Sequence, residues 1–556
     1  MTDAPQAVMG ARHRSIDARQ SGPSLRAAAR ARGPCASLSR TAPPGVLSGP
    51  IAPAMLRLAL PTITVLVAQA LVGVAETYFV SFLGTEALAG VALVFPVLML
   101  VQMMSNGGIG GGVASAVARA LGADRDGDAQ ALAWHAMLLA CGLGLLFTVG
   151  AIAGGPALYR AMGGTDETLA AALTYSNLVF AGSVPLWIVA LLSSALRGAG
   201  DVRTPATITL AGAIILVALS PALIFGWGPL PRLGIAGAGA SVVIYYGLAA
   251  LILIGYMRSG RSPLRLSAVR PDRRLFADIL GVGLLSALGT VQVNVTVACV
   301  TGVVGLFGAD AIAGYGIAAR LDYLQIPLLF GLGTAVVIMV GINVGAGQLA
   351  RARRIAWTGA AIGVGFTESL GLLVAIFPHA WLGLFSDAPA VLAVGTLYLQ
   401  TVGPAYGAIG LGMMLYFASQ GAKRVLWPVL AGTARMVVAA LLGWLAVAQF
   451  GADLSMLFRM VAAAALLFGG ITSAAMLAGA MLAGHDAGNH GHSGVEGCDC
   501  RSPEEALCGG KEGTPNQFPA AFRARSCVRQ VSAQADAAPG LKSGWVGMPE
   551  LGHERR

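Results

Sequence analysis

Apolar runs long enough to cross a bilayer follow one another along the chain, at about 57–82, 87–117, 130–153, 169–196, 205–226, 234–257, 275–303, 310–344, 355–378, 391–418, 427–449 and 455–482. Each reads as a membrane-spanning helix, because about 20 apolar residues in helical form bridge the hydrocarbon core. With 56% apolar residues, 11% charged residues and 76 glycines, the chain falls outside the range of soluble globular domains. The fold class expected is therefore an all-α membrane protein with twelve transmembrane helices.

Charge distribution orients the bundle. The gaps expected on one side hold Arg119, Arg125, Arg197, Arg203, six arginines from Arg258 to Arg274, Arg351, Arg353, Arg354, Lys423 and Arg424, whereas the other side holds only Arg160 and Arg232. Positive residues stay on the cytoplasmic side, so both termini are expected there, in a multi-pass plasma-membrane protein such as one of a bacterial inner membrane. The net charge of +10 is thus a matter of topology and implies no nucleic-acid partner. Cys35, Cys141, Cys299, Cys498, Cys500, Cys508 and Cys527 form no disulfide framework.

The chain also repeats itself. LGTEALAG at 83–90 returns as FGADAIAG at 307–314, a shift of 224, and the register then settles at 223. ALGADRDGDAQALAW ending at Trp134 matches NVGAGQLARARRIAW ending at Trp357, Thr168-Leu169-Ala170 matches Val391-Leu392-Ala393, and LRGAGDVRTP at 196–205 matches SQGAKRVLWP at 419–428. Each half holds an even number of helices, so the halves insert alike and form two pseudo-symmetric six-helix lobes about an axis along the membrane normal. The expected domains are a disordered basic arm over 1–50, an N-lobe over 51–257, a cytoplasmic linker over 258–274, a C-lobe over 275–482 and a disordered tail over 483–556. His485, His490, His492, Cys498 and Cys500 in that tail match no metal-site spacing, and no metal or cofactor is expected.

One acid stands out in the first run, LRLALPTITVLVAQALVGVAETYFVSFLG at 56–84. A charge at the helix centre costs about 2.5–3.5 kcal/mol on insertion scales, so Glu76 is a functional candidate. At 100° per residue Thr62, Gln69, Gly73 and Glu76 share one stripe, and Leu66, Val67, Leu71 and Val74 are left for lipid. Gln69 is expected to relay to or orient Glu76. Pro61, about four turns earlier, offers a hinge because it cannot donate to the helix ladder. Asn106, Gln292, Asn294 and Asp322 are candidates for the wall of a central substrate cavity, and Glu368 is expected to meet Arg320 or Arg435 on another helix. Met99, Met103 and Met104 give an adaptable surface. No cluster of catalytic groups gathers at either membrane face, so an enzyme is not expected.

Over about residues 51–482, LALP, VAETYFVSFLGTEALAG, LRGAGDVRTP and ARLDYLQIPLLFGLGTAVVIMVGINVGAG together resemble the multidrug and toxic compound extrusion (MATE) family, more its DinF-like than its NorM-like branch. The resemblance implies two six-helix lobes in a V that rock between outward and inward states, exporting cationic or amphipathic drug-like compounds by antiport. It also implies that Glu76, fifteen positions after Pro61, stands where the family has an aspartate in cation coupling. Other family positions differ: Leu216 and Ser220 precede Pro221, Val242 beside Ser241 occupies a threonine position, and Ala408 stands where the other branch has an acid. One carboxylate with few oxygen neighbours suits a proton better than a dehydrated sodium ion. The expected function is proton-coupled multidrug efflux by a monomer among membrane lipids; the alternative is a flippase for a lipid-linked saccharide, marked by a basic central cavity.

Overall fold

The computed structural model describes residues 45–227 and 231–481, and over these it is helical, with no strand among the described residues. The long helices, leaving aside one short turn at Pro378–Leu382, are α1 (Ile51–Ser81), α2 (Thr85–Gly122), α3 (Asp126–Ala161), α4 (Asp166–Ala181), α5 (Ser183–Gly198), α6 (Arg203–Phe225) and α7 (Ile235–Arg258). The second half continues with α8 (Arg273–Gly305), α9 (Ala309–Gly345), α10 (Leu349–Ile376), α11 (Pro389–Gly421), α12 (Leu426–Phe450) and α13 (Leu454–Leu477). Eleven of them are long and apolar enough to span a membrane, and α4 with α5, bent by 49° at Gly182, makes the twelfth span. The bend has a local cause: Pro185 lacks the N–H that a continuous helix needs there. The second half breaks at the equivalent place, where Pro404 sits in a short tight turn at Gly403–Ala405 inside α11. α13 starts on Asp453, whose carboxyl accepts from the Ser455 hydroxyl and the Met456 amide and is thereby held below the usual carboxylate range.

The expected start of the folded body shifts a few residues upstream. Val46 is buried, Arg351 donates to the carbonyls of Val46 and Gly49, and Asn343 donates to Val46 as well, so residues 45–50 belong to the body rather than to the arm. The rest of the basic arm and the Cys/His tail from 483 lie outside the described residues.

Contacts between helices follow the repeat. A Cβ on Gly90 of α2 would stand 2.9 Å from the Ala171 side chain of α4, and one on Gly314 of α9 would stand 2.9 Å from Val394 of α11. Across the halves the contacts are reciprocal. A Cβ on Gly122 would meet the Ile342 carbonyl at 2.1 Å, and one on Gly345 would meet the Arg119 carbonyl at 2.2 Å. In both cases the residues exchange places under the 223-residue shift. Gly107 touches Phe330 and Gly341 touches Ala118, each its own repeat counterpart, so α2 and α9 cross on the pseudo-two-fold axis. α9 also packs on α1, and α8 on α2, the same contact seen from the other half. These cross-half approaches lie toward the face where α1 begins and α13 ends, called here the terminal face.

Candidate functional site

Glu76 lies in the last two turns of α1. Its Oε1 is buried and accepts no hydrogen bond among the described residues. Tyr175 of α4 and Tyr246 of α7 lie within its electrostatic reach. Such an oxygen is costly until it accepts a hydrogen bond or a proton. Gln69 is two turns nearer the terminal face, about 10 Å along the helix. Its side chain meets the hydroxyl of Tyr245, which also meets Thr209. Tyr245 and Tyr246 are adjacent, with ring centroids 4.6 Å apart, so the two candidate residues of α1 are linked through this tyrosine pair rather than directly. Gly212 of α6 makes room for it: a Cβ there would lie 2.3 Å from the Tyr245 ring.

Two cavities flank the axis. The first, about 50 Å³, is walled by Thr62 and Gln69 of α1, Asn106, Arg197 of α5, Thr209, Tyr245 and Tyr246. Glu76 is outside this wall, and Leu66 is in it, so the expected lipid-facing set shrinks to Val67, Leu71 and Val74, all well exposed. Asn106 belongs to a wide helical turn at Met104–Ile109, where its amide donates to the Gln102 carbonyl. Wide turns of this kind recur at functional positions.

The second cavity, about 240 Å³, brings together the other three candidates, Gln292, Asn294 and Asp322. Asn106 is therefore separated from them, with Phe330 standing between the two spaces and lining both. Gln292 donates to the Thr433 hydroxyl at 2.7 Å and leaves its Oε1 buried without a partner among the described residues. Asn294 donates to the Thr290 carbonyl. Asp322 accepts from the Tyr398 hydroxyl at 3.0 Å, with the Tyr406 hydroxyl and Arg435 beside it. Arg435 in turn lies over the Phe468 ring, 5.8 Å from its centroid. Glu368 meets neither Arg320 nor Arg435: its Oε2 accepts from the Gly407 amide at 2.7 Å, and Arg320 lies over the Phe385 ring. The helix α1 runs unbroken through Pro61, and the Ala59–Ile63 turn around it is pressed by Gly331 of α9. The hinge position is thus packed against the other half.

Sequence reasoning missed the tyrosines. Tyr175 and Tyr398 are counterparts in the 223-residue register, and each sits with the buried acid of its own half, Glu76 or Asp322. Extending the Thr168/Val391 match by a few residues exposes that pair. Gln420, which donates to the Gly107 carbonyl at 3.3 Å and the Ser286 hydroxyl at 3.0 Å between the halves, was also passed over.

The MatE family model matches residues 61–222 and 286–445. Among curated proteins, the chain is 29% identical to the FAD transporter of Shewanella oneidensis, over 71% of this chain and 87% of that one. It is 31% identical to the probable multidrug resistance protein NorM of Burkholderia mallei, over 65% and 78%. Among solved structures, a multidrug resistance MATE family transporter of the MOP superfamily in an outward-facing conformation superposes with a TM-score of 0.72 at 23% identity, covering 79% of this chain and 99% of that one. A MOP superfamily transporter from Pyrococcus furiosus gives 0.72 at 22%, covering 79% and 98%. With its helical bundle, its reciprocal halves and a family match across both of them, the chain belongs to the MatE family of multi-pass membrane transporters and is not an enzyme.

Proposed function

We propose that this transporter exports cationic or amphipathic drug-like molecules in exchange for protons, with Glu76 as the coupling group and Gln69 acting on it through the Tyr245 and Tyr246 pair. The observation that carries the reading is the buried Oε1 of Glu76, which has no partner among the described residues and lies within electrostatic reach of Tyr175 and Tyr246. Protonated, the carboxyl tolerates a closed, dry half; ionised, it calls for water or a cationic guest. A proton and a drug that each favour a different geometry of the halves are coupled by that difference alone. In this reading residues 51–257 and 275–482 are two lobes rocking about the axis, Pro61 is a hinge of the first, and the 240 Å³ cavity with Gln292, Asn294 and Asp322 receives the apolar body of the drug. The protein acts as a monomer in a bacterial inner membrane with both termini cytoplasmic.

The test is transport of ethidium or norfloxacin in proteoliposomes under an imposed pH gradient, with and without sodium. Uphill movement should require the pH gradient, be indifferent to sodium and fall at least tenfold in Glu76→Gln. If the Gln variant still moves drug uphill, Glu76 is not the coupling group. The resemblance to the Shewanella protein named an FAD transporter, matched over 87% of its length, favours a second reading in which FAD is the cargo, and the same vesicles with FAD in place of drug decide between them.

A further inference from the structure

Two arginines inside the bundle stand beside an acid: Arg119 pairs with Asp278 at 3.0 Å, and Arg435 stands beside Asp322 and over Phe468. Arg197 has no such neighbour among the described residues. Its guanidinium donates to the neutral hydroxyl of Ser194 at 2.8 Å, and among the described residues no carboxylate pairs with it or lies within its electrostatic reach. It lines the first cavity, whose other polar walls are neutral: Thr62, Gln69, Asn106, Ser193, Thr209 and the two tyrosines. A space holding one positive charge and no negative one attracts an anion.

The repeat shows that the fold itself does not ask for a cation at this turn. The counterpart of Arg197 is Gln420, of Thr62 is Ser286 at the 224-residue shift, and of Phe330 is Gly107. Gln420, Ser286 and Gly107 close on one another across the two halves, the Gln420 amide donating to the Ser286 hydroxyl and the Gly107 carbonyl. The equivalent trio, Arg197 and Thr62 of the first half with Phe330 of the second, lines a cavity instead. The same architecture is thus filled by a glutamine on one side and left open beneath a guanidinium on the other.

We propose that the first cavity is an anion subsite in which Arg197 holds a phosphate or carboxylate group of a small guest, with Gln69 and Asn106 as neutral donors and the Tyr245, Tyr246 and Phe330 rings against its apolar part. The guanidinium fork suits two oxygens of such a group at once. The assignment is independent of which molecule is exported and of the role of Glu76.

The test uses the full chain in phosphatidylcholine nanodiscs and equilibrium dialysis of phenyl phosphate, with phenol as the uncharged match. Phenyl phosphate should bind at least tenfold more tightly than phenol and be displaced by inorganic phosphate. Arg197→Gln should abolish that preference while leaving phenol binding within twofold. Arg197→Lys, which keeps the charge but loses the fork, should weaken phenyl phosphate at least threefold, and it carries the test if the Gln variant does not fold. Equal binding of the two probes by the unaltered chain, or a phosphate preference untouched in either variant, overturns the proposal. Nanodiscs containing phosphatidylglycerol separate the sources: fivefold weaker phenyl phosphate binding there assigns the subsite to a lipid headgroup, and unchanged binding assigns it to a soluble anion.

Discussion

Glu368 shows how an acid expected to pair with an arginine can instead serve the backbone. It sits in α10 opposite the break in α11, and its Oε2 takes the Gly407 amide just past the turn containing Pro404. A broken helix frees backbone donors inside the bundle, and each needs a partner where water is absent. Glu368→Ala strands the Gly407 amide and should lower stability by about 1–3 kcal/mol. Glu368→Gln keeps an oxygen acceptor and should lose less than half of that, in unfolding followed in detergent micelles. Equal losses would mean that the carboxylate charge, not the hydrogen bond, is what the site uses. The acids Glu76, Asp322 and Glu368 were all legible as anomalies in apolar runs. Their partners were not, because Tyr175, Tyr246, Tyr398 and the Gly407 amide are ordinary helix residues that reach the acids only through tertiary packing.

Most helix boundaries were legible to within a few residues because hydropathy and the repeat both mark the loops, but α3 runs to Ala161 rather than 153, and α1 and α10 begin at Ile51 and Leu349, each six residues earlier than expected, because polar or charged helix ends leave no hydropathy signal. The bend at Gly182 was legible in part: Pro185 inside the run 169–196 marks a kink, but a break of one residue leaves no polar gap from which to read how sharp it is. Which glycines matter is only half legible: the sequence places Gly107, Gly108, Gly111 and Gly112 in α2 and Gly341 and Gly345 in α9 at small-xxx-small spacing, but spacing alone does not say which faces backbone. Gly122 and Gly345 do, each lying against a carbonyl of the other's helix, whereas a Cβ on Gly73 of α1 meets nothing within 4 Å. Gly122→Ala and Gly345→Ala should therefore each destabilise, by about 1–3 kcal/mol as overpacking against backbone does. Being counterparts, they should do so by similar amounts. Gly73→Ala should be neutral or stabilise by about 0.5–1 kcal/mol, the helix-propensity gain. Thermal unfolding of the three variants in one detergent checks the ranking, and a Gly73→Ala loss as large as the other two would show that close approach is not what sets it apart.

At the scale of the whole molecule, the two halves are clasped at the terminal face by more than glycine packing. Asp278 of α8 takes Arg119 of α2 at 3.0 Å and Lys423, in the turn before α12, at 2.7 Å. Arg119 also donates to the Ser115 hydroxyl and the Gly421 carbonyl, and the Ser115 hydroxyl donates to the Gln420 carbonyl. One carboxylate thus joins the first half to two places in the second, with the Arg119 side chain only 10% exposed. If the halves rock, this clasp must open whenever the terminal face does. Removing one member of such a buried pair costs about 3–5 kcal/mol by leaving the other charge unmatched, and a bias of about 1.4 kcal/mol already shifts a two-state population tenfold. Asp278→Asn should therefore favour the state open at this face. In a chain otherwise free of cysteine, Ile279→Cys reports it, since Ile279 is wholly buried where α8 meets Gly112 of α2. Labelling by a membrane-impermeant maleimide from the terminal side should rise at least tenfold with Asp278→Asn and stay slow with Asp278→Glu, which keeps the charge. Labelling that is unchanged within twofold would place the barrier to opening in the α2–α9 glycine crossing, and the ion pairs would then only order the loops around it.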